Sequence, residues 1–449
     1  MIVTICLPAY FSCNNTSIDK PYPDPDPDPI DTIVAPPDHT IRGQVYSLPE
    51  NYSLLKKILK QSGGSETLAD TTQTYTFFVQ ENADFAAAEI YSTGDLLAKL
   101  RAATPAVESD SLLLDRFIDY RTLSGAIETD SLLKMPLLET LVADEKIFLS
   151  LDYSQSPGVL KINDLNGHLI APDAVLDSES EYSNRNCSNG IIHKISGNLW
   201  IKDRKPYRIY WDIAEQPEIR ALSNFRQPGC AASFYPGDLS EITWEARPGT
   251  PTILAQIHYY CGTIPQDINV FDTKSQYVYA DYLRFSLDLG AIPWLELKTP
   301  VLIKGTYKVW ICYRREKEID LKTTFKQEEQ DDQVLPYIFD TSKYMPDPDA
   351  DGFSHEAIEM QGWKMYNAKK YERVVCSHLI GVIDVQSTGR HTLRFEATTN
   401  RQSSILCSFD MIQFIPVDEN QLWPRVDMLG NWIGADVEEC KIFPYEECF

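Results

Sequence analysis

The hydrophobic rhythm of the chain changes several times along its 449 residues. Residues 1–13 open on a short apolar run, Ile2, Val3, Ile5 and Leu7 to Phe11, that ends at Ser12-Cys13. Residues 14–40 have no apolar period. From 41 to 205 two periods mix. Ser53 to Leu59 places Leu54, Leu55, Ile58 and Leu59 on one helical face, and Ser111–Tyr120 and Leu132–Val142 share that spacing. Tyr75–Val79, Lys146–Asp152 and Gly190–Ile195 read as strands, so this segment is predicted to be an α+β domain. From 206 to 418 the pattern changes to regular strands with little helix. Gly305–Tyr313, Leu379–Val385, Gly389–Glu396 and Phe409–Pro416 alternate and are separated by turn signals, which predicts an all-β sandwich. Residues 419–449 are rich in aromatics: Trp423, Trp432, Phe443, Tyr445 and Phe449. They are expected to pack on the sandwich, with a partner surface as the alternative.

The polar stretches add a second layer. Between Pro21 and Pro29 proline alternates with aspartate. Proline fixes φ and disfavours helix in the residue before it, and like charges extend the segment further. The expected result is a semi-rigid stalk of roughly 3 Å per residue. A small residue before Cys13, at the end of an apolar run, is the pattern of a lipoprotein processing site, so Cys13 is the expected lipidated residue. The run lacks a preceding Lys or Arg, and Tyr10 stands where leucine is usual. No uncharged apolar stretch reaches the roughly 18 residues of a membrane span, so attachment is expected through the lipid alone. With 41 basic and 65 acidic residues, a net charge of −24, the chain repels phosphate backbones, which excludes nucleic acid as an expected partner. Cys312, Cys376 and Cys407 sit in apolar strand patterns, where a thiol behaves as a small hydrophobe. Cys440 and Cys448 are close enough in sequence to pair in an oxidising compartment.

Two resemblances follow from particular residues. Tyr75–Phe85 (YTFFVQENADF) and Asn189–Ile195 (NGIIHKI) resemble the first and second motifs of fasciclin domains, with Phe117–Gly125 in the position of the intervening helix and strand. Arg121 replaces the family's histidine, and Gln80-Glu81 replaces its Pro-Thr. Both motifs are core strands, so the resemblance implies fold more than activity. The phrases Gly305–Trp310 (GTYKVW), Thr388–Arg394 (TGRHTLR in 388–394) and Asp410–Pro416 (DMIQFIP) are similar to strands of galactose-binding-like jelly rolls, a fold used by many carbohydrate-binding modules. Taken with the leader, the arrangement resembles surface lipoproteins of Bacteroidota glycan- and nutrient-utilisation loci. That resemblance implies an outer-membrane location facing the cell surface and an outer-membrane importer complex as partner.

Candidate chemistry is sparse. A sugar platform needs flat aromatic faces and a few polar groups. Gln361, Trp363, Tyr366 and Asn367 supply both within one segment, and Trp294 and Tyr344 are second candidates. Trp310 lies mid-strand and is expected in the core. Asp347, Asp349 and Asp351, followed by Gly352, resemble the start of a calcium loop, with Glu356 or Glu359 as the closing ligand; an acidic surface loop is the competing reading. Calcium is therefore the one cofactor the sequence raises. No nucleophile elbow, zinc-protease motif or phosphate loop occurs. The function expected is non-catalytic glycan capture at the cell surface. The alternatives are an adhesive protein-binding subunit without sugar affinity and, behind it, a glycoside hydrolase, which requires two carboxylates facing each other in a cleft.

Overall fold

The computed structural model describes residues 38–435, apart from 105–106, 108, 133–134, 136, 143–145, 153–158, 164–171, 203, 263–276, 315–317, 329, 344, 347–353, 368–374 and 401–406. Cys13, the Pro-Asp segment, Cys440 and Cys448 lie outside the described residues. No helix among the described residues is long and apolar enough to cross a membrane, which says nothing of strands.

Residues 41–205 form a mixed α/β unit on one sheet. Its strands are β1 (Tyr75–Val79), β2 (Thr122–Ser124), β3 (Leu137–Glu139), β4 (Lys146–Asp152), β5 (Val159–Ile162), β6 (Ala174–Leu176), β7 (Arg185–Cys187) and β8 (Gly190–Gly197). They run in the order β2-β1-β8-β6-β5-β4-β3, with β7 on β8. β1 and β8 pair in parallel from Tyr75↔Gly190 to Val79↔Lys194. The two fasciclin-like motifs therefore meet at the centre of the sheet. Successive side chains of a strand face opposite ways. Phe77 and Val79 accordingly enter a core with Leu55, Phe85 and Phe117 of the helices Ser53–Gln61, Asn82–Ala87 and Asp110–Tyr120. Phe78 enters a second core on the other face with Leu123, Leu160 and Ile195. Asn189 ties the motif in place. Its Oδ1 accepts from the Ile41 N–H at 2.7 Å, and its Nδ2 donates to the carbonyls of Leu68 and Asp70.

One sequence expectation changes here. The described residues of Leu132–Val142 do not form one helix: Leu132 belongs to the helix Thr129–Leu132, and Leu137–Glu139 is strand β3. Pro136 has no N–H to offer a helix and disfavours helical φ/ψ before it, so backbone chemistry overrides the apolar period. Arg121, which stands where the fasciclin resemblance expects a histidine, is a core residue. It is fully buried, with its guanidinium over the Phe117 ring, and donates to Gln80 Oε1 at 3.1 Å and to the Leu199 carbonyl at 2.5 Å.

From residue 209 two antiparallel sheets share one core. The first contains β9 (Ile209–Asp212), β10 (Ala231–Phe234), β12 (Ile257–Cys261), β13 (Asp281–Phe285), β15 (Gly305–Arg314), β19 (Trp363–Lys364), β20 (Val375–Val385) and β22 (Cys407–Pro416). Its order is β10-β12-β13-β22-β15-β20-β19, with β9 on β22. The second contains β11 (Ile242–Glu245), β14 (Trp294–Leu302), β16 (Asp320–Lys326), β17 (Gln333–Val334), β18 (Phe339–Asp340) and β21 (Gly389–Ala397), in the order β11-β14-β21-β16-β17 with β18 on β16. Leu295, Leu297, Leu393, Phe395, Leu321 and Phe325 of the second sheet face Leu283, Phe285, Val309, Ile311, Phe409 and Phe414 of the first. The Phe409 ring meets Phe285 edge-on at 5.0 Å and Phe395 at 5.8 Å, joining the two sheets.

The outer face of the first sheet is covered as well. Trp310 is fully buried there, as its mid-strand position implies, and its indole donates to Gln421 Oε1 at 3.0 Å. The hairpin of β23 (Arg425–Val426) and β24 (Trp432–Ile433) lies over this face, with Trp432 stacked on Tyr210 at 4.7 Å. The described part of the aromatic tail thus packs on its own domain. The outer face of the second sheet stays polar and solvated.

Candidate functional site

The segment 361–367, the sequence's first choice for a sugar platform, is brought together but turned inward. Trp363 and Lys364 form edge strand β19 against His378 and Ser377 of β20. The Trp363 ring is half-buried and meets the His378 ring edge-on at 4.2 Å. Two of the expected contacts are corrected outright. Tyr366 is 1% exposed and its hydroxyl donates to Asp410 Oδ2 at 2.6 Å, and Asn367 is buried beside Val426 in a bridge to the tail. The buried Tyr366 ring therefore offers no face to a ligand, while Trp363 remains half-buried against His378. Gln361 is exposed but has no exposed aromatic neighbour in the segment. Tyr344, Asp347, Asp349 and Asp351 lie outside the described residues. Glu356 sits in the first turn of the helix His355–Met360, where its own backbone N–H and the Ser354 hydroxyl hold its carboxyl below the usual range. Among the described residues no three His, Cys, Asp or Glu side chains are arranged to hold a metal ion.

Trp294, the second choice, is different. It opens β14 on the outer face of the second sheet. Strand register places Glu245, Trp294, Glu396 and Lys322 in one row across four strands, and Thr243, Glu296, Arg394 and Thr324 in the next. Neighbouring rows on the same face alternate with the apolar residues of the core, as a half-buried sheet requires. The indole is half-buried. Its Nε1 donates to Glu245 Oε2 at 3.1 Å, and the Arg394 guanidinium stacks on the ring at 4.4 Å. Arg394 is itself held by Glu296 at 2.9 Å and Glu396 at 3.2 Å, and Lys326 reaches Glu296 at 2.9 Å. Burial works against the Glu296 carboxylate, but the hydrogen bonds from Lys326 and Arg394 hold its pKa below the usual value. The ring is therefore fixed in the free protein, inside a flat array whose acids and bases compensate one another. Chemically the array offers an aromatic plate with carboxylate acceptors and guanidinium and ammonium donors around it. The sequence singled out Trp294 but not its frame. The alternation Arg390, Thr392, Arg394, Glu396 in β21 was the available signal for a polar outer face.

A second constellation was not anticipated. Along one edge of β22, β13 pairs up to Leu283↔Phe409 and β9 takes over from Met411↔Asp212. Asp410 lies at this fork, between Asp212 and Asp281 at the ends of the two strands. Arg226 fills the fork: Nη2 reaches Asp212 at 2.6 Å and Glu215 at 3.0 Å, Nε reaches Asp281 at 3.4 Å, and the guanidinium lies 3.4 Å over the Tyr279 ring. Arg226, Tyr279 and Ala280 all have left-handed φ, near +55°. Such strain concentrates where a fold over-determines a local geometry. Burial, then the neighbouring Asp281, pushes Asp212 up; burial pushes Asp281 up to about 6 and Asp410 well above the carboxylate range. Asp281 Oδ1 and Asp410 Oδ1 are buried without a hydrogen-bond partner among the described residues. One arginine faces several carboxylates, and burial disfavours the charged form of each aspartate. The three aspartates are at most 7% exposed and lie behind Arg226. A substrate at the surface does not reach them, and they do not form the facing pair across a cleft that glycoside hydrolysis uses. A lone carboxylate in an apolar run, as in Phe409-Asp410-Met411, was the signal for this fork.

No protein-family model matches the chain, and no curated protein matches it in sequence. Solved structures that align with it include a FAS1 domain pair from the insect cell adhesion molecule fasciclin I, at 18% identity and a TM-score of 0.26, covering 36% of this chain and 50% of that one. A xanthan lyase from Paenibacillus aligns at 13% identity and a TM-score of 0.26, over 63% of this chain and 21% of that one. The catalytic domain of a GH87 alpha-1,3-glucanase aligns at 8% identity and a TM-score of 0.19, over 44% of this chain and 30% of that one. The chain spans half or less of each of these proteins, and at such TM-scores the alignments say nothing of activity.

Proposed function

We propose that the chain is a non-catalytic binding protein, anchored to the outer membrane through Cys13 and facing the cell surface, that captures neutral glycan on the outer face of its second sheet. The observation that carries this reading is Trp294: a half-buried ring on a flat polar face, held by Glu245 and with Arg394 over one of its faces. Sugars present C–H faces to an aromatic plate and hydroxyls to surrounding acceptors and donors. A plate already held in place loses little entropy on binding. The charge compensation around it favours a neutral ligand over an ionic one. The inward burial of the fork carboxylates supports binding rather than hydrolysis. The Pro-Asp segment would hold the domains away from the membrane, beside an importer that takes up what they capture.

One observation favours a second reading, protein adhesion. Val334, Tyr337 and Ile338 are 57%, 51% and 53% exposed within one short stretch at the edge of the second sheet. A glycan array with the protein lacking residues 1–13, followed by calorimetry on the sugars that bind, separates the two. Trp294→Ala should weaken binding at least tenfold, the scale of one lost stacking contact, with little change in Tm. Undiminished binding by W294A would move the site elsewhere, and an array without any bound sugar would favour the adhesive reading.

A further inference from the structure

Two cysteines that no functional reading uses meet at the sheet edge beside the fork. β10 and β12 pair antiparallel from Ala231↔Tyr260 to Phe234↔Ile257, and the pairing continues one step beyond β10. There the Gly229 N–H donates to the Cys261 carbonyl at 3.0 Å, and the Cys261 N–H donates to the Cys230 carbonyl at 2.9 Å. This is a bulge in which Gly229 and Cys230 together oppose Cys261. Gly229 has φ +82°, the left-handed conformation such a bulge requires of its first residue. Cys230 and Cys261 are 2% and 5% exposed and belong to the same core, so both side chains point to one face.

We infer that Cys230 and Cys261 form a disulfide when the chain folds in an oxidising compartment. Residues opposite one another in a hydrogen-bonded antiparallel pair have Cα atoms about 5.5 Å apart, inside the window of about 4.4–6.8 Å that a disulfide spans. Other described cysteines lack this arrangement. Cys312 faces the outer cluster with Tyr366 and Met411 whereas Cys376 faces the core, and Cys376 and Cys407 lie on β20 and β22 with β15 between them. Strands separated by one intervening strand are roughly 9.6 Å apart, beyond disulfide reach. Both members of the pair are thiols in this structure. Their oxidation joins the two sulfurs by one S–S bond and releases two protons and two electrons. A disulfide-class oxidant, such as oxidised glutathione or an oxidoreductase of the compartment, accepts both and leaves as two thiols. Burial, then the charge of Asp281, keeps the Cys261 thiol up at about 11, which slows exchange once the strands have closed. The bond therefore forms during folding. It staples the loop that carries Arg226 to β12, and so fixes the guanidinium in the carboxylate fork.

The test refolds the chain lacking residues 1–13 from denaturant with reduced and oxidised glutathione, against a parallel refolding in reductant. Free thiols are then alkylated under denaturing conditions and the protein is digested and mapped by mass spectrometry. The oxidised sample should contain one peptide pair joining Cys230 to Cys261, lighter by two hydrogen atoms than the separate peptides. Its sandwich domain should melt on the order of 10 °C higher than the reduced form, as expected for a closed loop of this size. Cys230→Ser and Cys261→Ser should each abolish the linked pair and the Tm difference, and Cys230→Ala does the same without a new buried hydroxyl. Recovery of both residues as alkylated thiols from correctly refolded protein, or linkage of either one to a different cysteine, overturns the inference. The outcome is independent of glycan binding, which the array reads separately.

Discussion

Lys364 provides the sharpest energetic test of the fold. Its side chain is 2% exposed, under the Trp310 ring at 4.6 Å, and Nζ donates to the Gln421 carbonyl at 2.7 Å. No carboxylate pairs with it among the described residues. Burial lowers its pKa from 10.5 to about 7. Because the folded value lies below the unfolded one, the unfolded chain takes up a proton first as the pH falls. Stability is therefore lost as the pH falls from about 10.5 to about 7, and the penalty is constant below that. A shift of this size corresponds to about 5 kcal/mol. Lys364→Met keeps the length of the side chain and removes the charge. It also removes a hydrogen bond and leaves the Gln421 carbonyl without that donor, at a cost of about 1–3 kcal/mol. At pH 7 the variant should be the more stable by about 1–3 kcal/mol, and near pH 10 it should be equal or slightly less stable. Urea unfolding followed by tryptophan fluorescence at both pH values reads the difference directly. Wild type should gain stability between them, while the variant should stay nearly flat. A variant with the same alkaline gain as wild type would show that a buried, neutralised amine is not its source.

Two further substitutions probe the fork and its cover. Asp281 has a folded pKa of about 6, above its ordinary 3.8, so the stability it contributes is present below about pH 3.8 and is lost as the pH rises through 6. Asp281→Asn should remove about 3 kcal/mol of this acid-side dependence, read as the change in Tm between about pH 4 and pH 7 relative to wild type. Gly430 has φ +84°, and a Cβ there would lie 1.8 Å from the Tyr279 hydroxyl oxygen. Gly430→Ala should destabilise by about 2–4 kcal/mol, and in a Tyr279→Ala background it should cost clearly less; equal costs in thermal unfolding would place the strain elsewhere.

Local chemistry explains which elements were legible. β1, β4 and the strands Gly305–Arg314, Gly389–Ala397 and Cys407–Pro416 announce themselves by alternation or by apolar β-branched and aromatic runs. Leu132–Val142 misleads, because an apolar period cannot show that Pro136 stops a helix. The platform at 361–367 misleads for another reason: the same aromatics that suit a ligand also suit the core beneath an edge strand, and only strand pairing distinguishes them. Trp294 and Tyr366 both lie on the outer face of a sheet, but the tail covers the face that holds Tyr366 and not the one that holds Trp294.

By itself the sequence determined the order of the units, a mixed α/β segment before two antiparallel sheets, because periods of 3.6 and 2 are local properties of the chain. It also determined the acidic balance, since charge counts need no geometry. Tertiary structure alone decided what stands beside what. The Arg394 clamp on Trp294, the fork of Asp212, Asp281 and Asp410 around Arg226, and the opposition of Cys230 to Cys261 join residues 14 to about 200 positions apart. Such pairings are set by strand register and by the burial that register imposes, neither of which is written in any one segment.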